Sequence, residues 1–182
     1  MNELIAKPIV AILTGEEKLR DEVIGRLEAD LGATDFIGQW YQFGYTKYYE
    51  PEMGEGLKRC FVSFGKPISP HEVGKLKALT RTIEDQFRIG GKRTINLDPG
   101  YVDLFKVVLS SGKGGGHMVM IADAIFVDVL LWYNKGWQPL PWTYPDFREG
   151  IYFKDLETIR QRLKEQIHHK AAGARNTPAP KG

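Results

Sequence analysis

Cysteine is nearly absent from this chain: Cys60 is the only one in 182 residues. A single thiol excludes an intramolecular disulfide and a cysteine-based zinc site, and it fits a reducing, cytoplasmic setting. Its context, Arg59-Cys60-Phe61-Val62-Ser63-Phe64, is strand-like, so a buried and inert thiol is expected. Long apolar runs are lacking as well. Residues 8–13 meet Glu16, Glu17 and Lys18 at once, and residues 121–133 are broken by Asp123 and Asp128. Neither is a signal segment or a membrane span, so no membrane partner is expected.

An excess of one charge sign is also missing. Twenty-five Lys and Arg stand against 23 Asp and Glu, and three of the cations (Lys170, Arg175, Lys181) fall in residues 168–182, which contain no acid and no large apolar residue. That segment reads as a disordered tail, leaving residues 1–167 as a single, nearly neutral α+β domain. Without a basic stripe on the folded part, nucleic acid is an unfavourable partner. His168-His169 adds two ligands and no more, which does not make a metal site.

What is present is enough apolar residue, 42%, for a full core. The continuous run 8–13 predicts a buried strand. Thr14 and Glu17 then have the spacing of a capping box, Leu19, Val23, Ile24, Leu27 and Leu31 recur at helical intervals, and Gly32 supplies a stop. Extended segments over 36–45 and 57–64 follow and are expected to pair antiparallel. A second helix opens with Ser69-Pro70 and Glu72, carries Val73, Leu76, Leu79, Ile83 and Phe87 as its buried stripe, and ends at Gly90-Gly91. With a strand at 93–97, the order is that of a ferredoxin-like βαββαβ core. Segments 105–109, 117–121 and 125–133 predict a β-rich C-terminal extension, with a hairpin turn at Asn134-Lys135-Gly136 and a closing helix over about 155–167.

Three stretches follow neither rhythm: residues 45–54, 96–101 and 141–146. Each sets rings and carboxylates beside Pro or Gly, as rigid functional loops do. In the first, Tyr48 and Tyr49 precede Glu50 and Glu52, which flank Pro51; paired acids suit a divalent metal or acid–base chemistry. In the second, Asn96 and Asp98 lead into Pro99-Gly100-Tyr101, where turn chemistry explains the acid equally well. The third holds Trp142, Tyr144 and Asp146.

Asp128 stands in an apolar strand, where an ionised carboxylate costs several kcal/mol, on the order of magnitude of a buried charge, unless a cation or several donors meet it. Arg93, Lys106, Lys113 and His117 are the candidate partners. With a carboxylate beside it, His117 becomes a tunable acid or base. The run 110–117 invites comparison with a phosphate loop, but Lys113 is followed by glycine and then by a strand, so a flexible hairpin connection is the expectation.

Taken together, Tyr48-Tyr49 with Glu52-Met53-Gly54, residues 96–101, Lys113 with His117, and Trp142 to Asp146 resemble an uncharacterised bacterial and archaeal family of unknown function, DUF4416, over nearly the whole chain except its tail. The resemblance implies no activity, and a GTP-binding description of some members has no motif behind it in this chain. Two positions depart from the family pattern: Met118 follows the histidine where the family has arginine, and Asp128 stands where glutamate is usual.

The expectation is therefore a small-molecule-binding protein or enzyme, its cleft assembled from the three loops with Lys113, His117 and Asp128. The ligand would be a small anion, with GTP or another nucleotide among the candidates, and Arg93, Asn96, Tyr101 and the other loop rings among its contacts. Glu52, Asp98, His117 and Asp128 are the candidates for acid–base or metal-assisted chemistry, with a divalent metal as one possible cofactor. The alternative is a non-catalytic protein-binding module whose tyrosines and Trp142 form an aromatic anchor patch.

Overall fold

A computed structural model describes residues 4–175. The chain forms a nine-stranded sheet with five α-helices among the described residues. β1 (Lys7–Thr14) is buried at every position, which is why its sequence shows no alternation. α1 (Leu19–Leu31) turns Val23, Ile24, Leu27 and Leu31 inward. β2 (Thr34–Ile37) and β3 (Tyr41–Gln42) both pair antiparallel with β4 (Lys58–Phe64), the pairing expected of segments 36–45 and 57–64. A short helix, α2 (Glu50–Met53), lies between β3 and β4.

The Ser69 capping box forms, with the Ser69 N–H donating to Glu72 Oε2 at 2.8 Å, and opens a 3-10 turn that runs into α3 (Val73–Gln86). The box at Thr14 does not form. β1 runs through Thr14, whose hydroxyl accepts from the Glu16 N–H at 3.0 Å and donates to the Thr94 carbonyl at 2.9 Å, so the helix starts later, at Leu19. Glu17 pairs with Lys58 instead.

β5 (Ile95–Val102) corrects the second expected loop: residues 96–101 lie inside a strand that pairs with β1 along its whole length. β6 (Lys106–Ser111) joins β5 only from Gly100 onward. Proline's missing donor is tolerated at 99 because it falls just before that pairing begins. A Cβ on Gly100 would lie 1.9 Å from the Val108 carbonyl oxygen, so the close approach of β6 requires glycine.

β7 (Val119–Ala122), β8 (Ile125–Tyr133) and β9 (Trp137–Pro139) complete the sheet, in the order β2-β4-β1-β5-β6-β8-β7, with β3 on β4 and β9 on β8. Every pairing is antiparallel. The Asn134–Gly136 turn forms as expected, with Lys135 at φ 56°. The glycine-rich connection is not a hairpin, because β6 and β7 are separated by β8 and run parallel to each other. Residues 112–118 therefore cross β8 rather than reversing beside β6.

α4 (Pro145–Arg148) and α5 (Phe153–Arg175) follow. α5 is longer than the 155–167 span predicted by periodicity and takes in His168 to Arg175, the first part of the expected tail; the rest of that segment lies outside the described residues. One face of the sheet packs Val10, Ile12, Cys60, Val62, Ile95 and Leu97 against α1 and α3. The opposite face packs Ile9, Ala11, Phe61 and Val102 against Phe147 of α4, Tyr152, and Leu156 and Ile159 of α5.

Candidate functional site

Alternation along β4 directs Cys60, Val62 and Phe64 toward α1 and α3, and so turns Arg59 and Phe61 to the other face. Arg59 is 6% exposed there and forms a buried ion pair with Asp146, which α4 presents just after Pro145. The Tyr152 hydroxyl donates to the same Asp146 oxygen at 2.9 Å. The Phe43 ring lies 4.4 Å from the guanidinium carbon, a cation–π contact. Arg59 Nε has no hydrogen-bond partner among the described residues.

Asp128 points to the same face from β8, 4% exposed, and its Oδ2 is 3.0 Å from His117 Nε2. The crossing loop makes this pair possible, since it carries His117 over β8 on its way from β6 to β7. Glycine lets it lie close: a Cβ on Gly114 would be 2.7 Å from the Phe126 ring. Trp142 stacks on His117 with centroids 5.8 Å apart and a 20° tilt, and its Nε1 donates to the Val129 carbonyl at 3.0 Å. Burial pushes the Asp128 carboxyl above the usual aspartate range, with His117 opposing the shift. On the same loop, the Lys113 ammonium lies 3.7 Å from the centroid of Tyr48, which meets Tyr49 edge-on at 5.0 Å.

Asp98, on β5, accepts from Asn96 Nδ2 at 2.9 Å and from Lys77 Nζ at 3.3 Å. Lys77 reaches it from α3 on the opposite face, through the part of β5 that lacks β6.

These groups surround one cleft of about 520 Å³. Of the residues singled out from the sequence, it brings together Tyr48, Tyr49, Asp98, Lys113, His117, Asp128, Tyr144 and Asp146. Trp142 is held at its edge through His117. Glu52 and Arg93 are not among its walls. They grip each other, with Arg93 Nε and Nη2 donating to Glu52 at 2.8–3.0 Å, and these bonds hold the Glu52 carboxyl below the usual glutamate range. Asn96 bridges that pair to the cleft, accepting from Arg93 Nη1 at 2.8 Å while donating to Asp98. Tyr101 faces the other side of the sheet beside Val73 and Val108, where burial raises its hydroxyl to about 12.

Tyr45, from the first of the three stretches, also lines the cleft, as do Arg59, Phe43 and Phe147, which were not singled out from the sequence. The one signal for Arg59 is its register, an inward strand position two residues before Phe61. Among the described residues no group of three or more His, Cys, Asp or Glu is arranged to hold a metal ion, and no helix is long and apolar enough to cross a membrane.

The chemistry available is thus a carboxylate–imidazole pair, a buried guanidinium and an ammonium around a cavity whose walls include six Phe and Tyr rings. No curated protein and no solved structure matches the chain. A family described only as a domain of unknown function, DUF4416, matches residues 5–163, and the chain belongs to that family.

Proposed function

We propose that this protein binds a small anionic ligand in the cleft and that the His117–Asp128 pair acts on it as an acid–base couple. The observation that carries the reading is convergence: a histidine hydrogen-bonded at 3.0 Å to a buried carboxylate shares one cavity with Arg59 and Lys113. The guanidinium and ammonium are the groups that hold an anion. Asp128 fixes the imidazole so that its other ring nitrogen is left for a proton on the ligand. Asp98, tied to Lys77 and Asn96, is a second acid within the same walls.

We also read β1 through β5 as a ferredoxin-like core, with the later strands and α5 as its extension. The partial order β2-β4-β1-β5, with α1 and α3 against one face, supports that reading.

The test is thermal unfolding of the full chain against a panel of anions that includes GTP, other nucleotides and organic acids. A ligand at a hundred times its Kd adds about 2.7 kcal/mol, which for a domain of this size raises Tm by roughly 5–10 °C. The shift should vanish in Lys113→Met. His117→Ala should retain binding and lose turnover. A second reading, a non-catalytic protein-binding module, draws on the exposure of Tyr48 (53%), Tyr144 (42%) and Trp142 (41%). Tyr48 and Tyr144 line a concavity rather than a flat patch, which favours a small ligand. Absence of a shift from every anion would turn the choice toward the second reading.

A further inference from the structure

We propose that the ligand is a flat organic acid with a single negative charge, an aromatic or heteroaromatic carboxylate, and that the cleft disfavours polyphosphates. This narrows the anion-site reading and rests on it.

Charge pairing around the cavity sets the ligand's charge. Arg59 is matched by Asp146 and Asp98 by Lys77, and Asp128 is met by His117, which balances its charge only when the imidazole is protonated. Lys113 is the one charged side chain on the walls that faces no charged partner among the described residues; its ammonium rests over the Tyr48 ring. One uncompensated cation accommodates one negative charge. A second charge on the ligand would meet the carboxylates of Asp98 and Asp128, not another free cation. Arg59 also lines the cavity, and the planar fork of its guanidinium suits the planar oxygens of a carboxylate.

Shape and backbone agree with this. Phe43, Tyr45, Tyr48, Tyr49, Tyr144 and Phe147 give the cavity aromatic walls, which accept a flat body face-on or edge-on. A volume of about 520 Å³ suits a single small organic molecule. Polyphosphate sites use the N–H groups at the start of a helix, whereas the glycine-rich crossing loop leads into β7.

Isothermal titration of the full chain at fixed ionic strength tests the assignment with five probes. Two are aromatic monoanions, 4-hydroxybenzoate and indole-3-acetate; one is a neutral isostere, 4-hydroxybenzyl alcohol; two are polyanions, pyrophosphate and GTP. The expected result is that at least one monoanion binds roughly tenfold or more tightly than the alcohol and the polyanions, the scale of one charge-assisted contact. Lys113→Met should abolish that preference while the protein keeps its far-ultraviolet circular dichroism. Tighter binding of pyrophosphate or GTP overturns the monoanion assignment but leaves the anion site standing. Equal binding of the alcohol and the acids, or no binding by any probe, overturns both.

Discussion

A guanidinium on an inward strand position must have its charge matched where it stands, and for Arg59 the match is Asp146, 87 residues away in sequence. Removing one member leaves the other buried and unpaired, so Arg59→Met is expected to cost about 3–5 kcal/mol. Removing both in Arg59→Met/Asp146→Leu should cost much less than the sum of the single changes. Denaturant unfolding of the four proteins in this cycle measures the difference, and additive losses would mean that the two side chains are not coupled. The same residue shows what a sequence can disclose. Asp128 stood out because an acid in an apolar strand demands a partner, and of the four candidates for that role it is His117 that meets it. Arg59 sits at a strand end beside Lys58, where a cation is ordinary, and only the fold reveals that its face is covered by Phe43, Phe147 and Tyr152.

At the scale of elements, β5 explains both a misread loop and two buried charges. Asp98-Pro99-Gly100 carries all the marks of a turn, and those marks are local; that these residues continue a strand paired with β1, with pairing to β6 starting at Gly100, is a long-range fact. Gly100→Ala would drive a methyl into the Val108 carbonyl of β6 and is expected to destabilise by about 3 kcal/mol or more, read as a fall in the denaturation midpoint. Upstream of Gly100, β5 has no β6 beside it, and α3 satisfies the Leu97 backbone instead: the N–H donates to Glu84 Oε1 at 2.6 Å, and the carbonyl accepts from Lys77 Nζ at 2.7 Å. This is why the helix periodicity was only partly legible. Val73, Leu76 and Ile83 are buried as their spacing predicts, but Lys77, Thr80 and Glu84 share the interior, and Leu79 and Phe87 are only partly covered.

Burial holds the Glu84 carboxyl above the usual glutamate range, with Lys77 opposing. A raised acid favours folding where it is protonated. Its contribution is complete below the unfolded value of about 4.3 and is lost as pH rises through the folded value. Relative to Glu84→Gln, the wild-type chain should therefore gain stability as pH is lowered from about 7 to about 4.5. Guanidinium unfolding of both proteins across that window checks the sign, and a constant difference would show that Glu84 titrates no differently in the folded chain.

For the whole molecule, the decisive arrangement is a sheet covered on both faces by different parts of the chain. α1 and α3 close one face and come from the first half, where periodic spacing made them readable. The other face waits for residues 145–163, so neither the core nor the cleft is complete until the C-terminal helices dock. Lys7 marks the same dependence: fully buried on β1, it pairs with Asp35 and donates to Gln166 of α5 at 2.9 Å, joining the first strand to the last helix. Coverage by α5 and construction of the cleft are nonetheless separable, because Leu163 is buried and is not among the cleft's walls. Leu163→Ala is expected to cost about 2–5 kcal/mol of stability through the cavity it leaves. In the folded protein the affinity for the preferred monoanion should stay within about threefold of wild type, a change below roughly 0.7 kcal/mol. Chemical denaturation and titration of the same variant make the comparison. Loss of affinity in step with stability would show that docking of α5 and assembly of the cleft are one event.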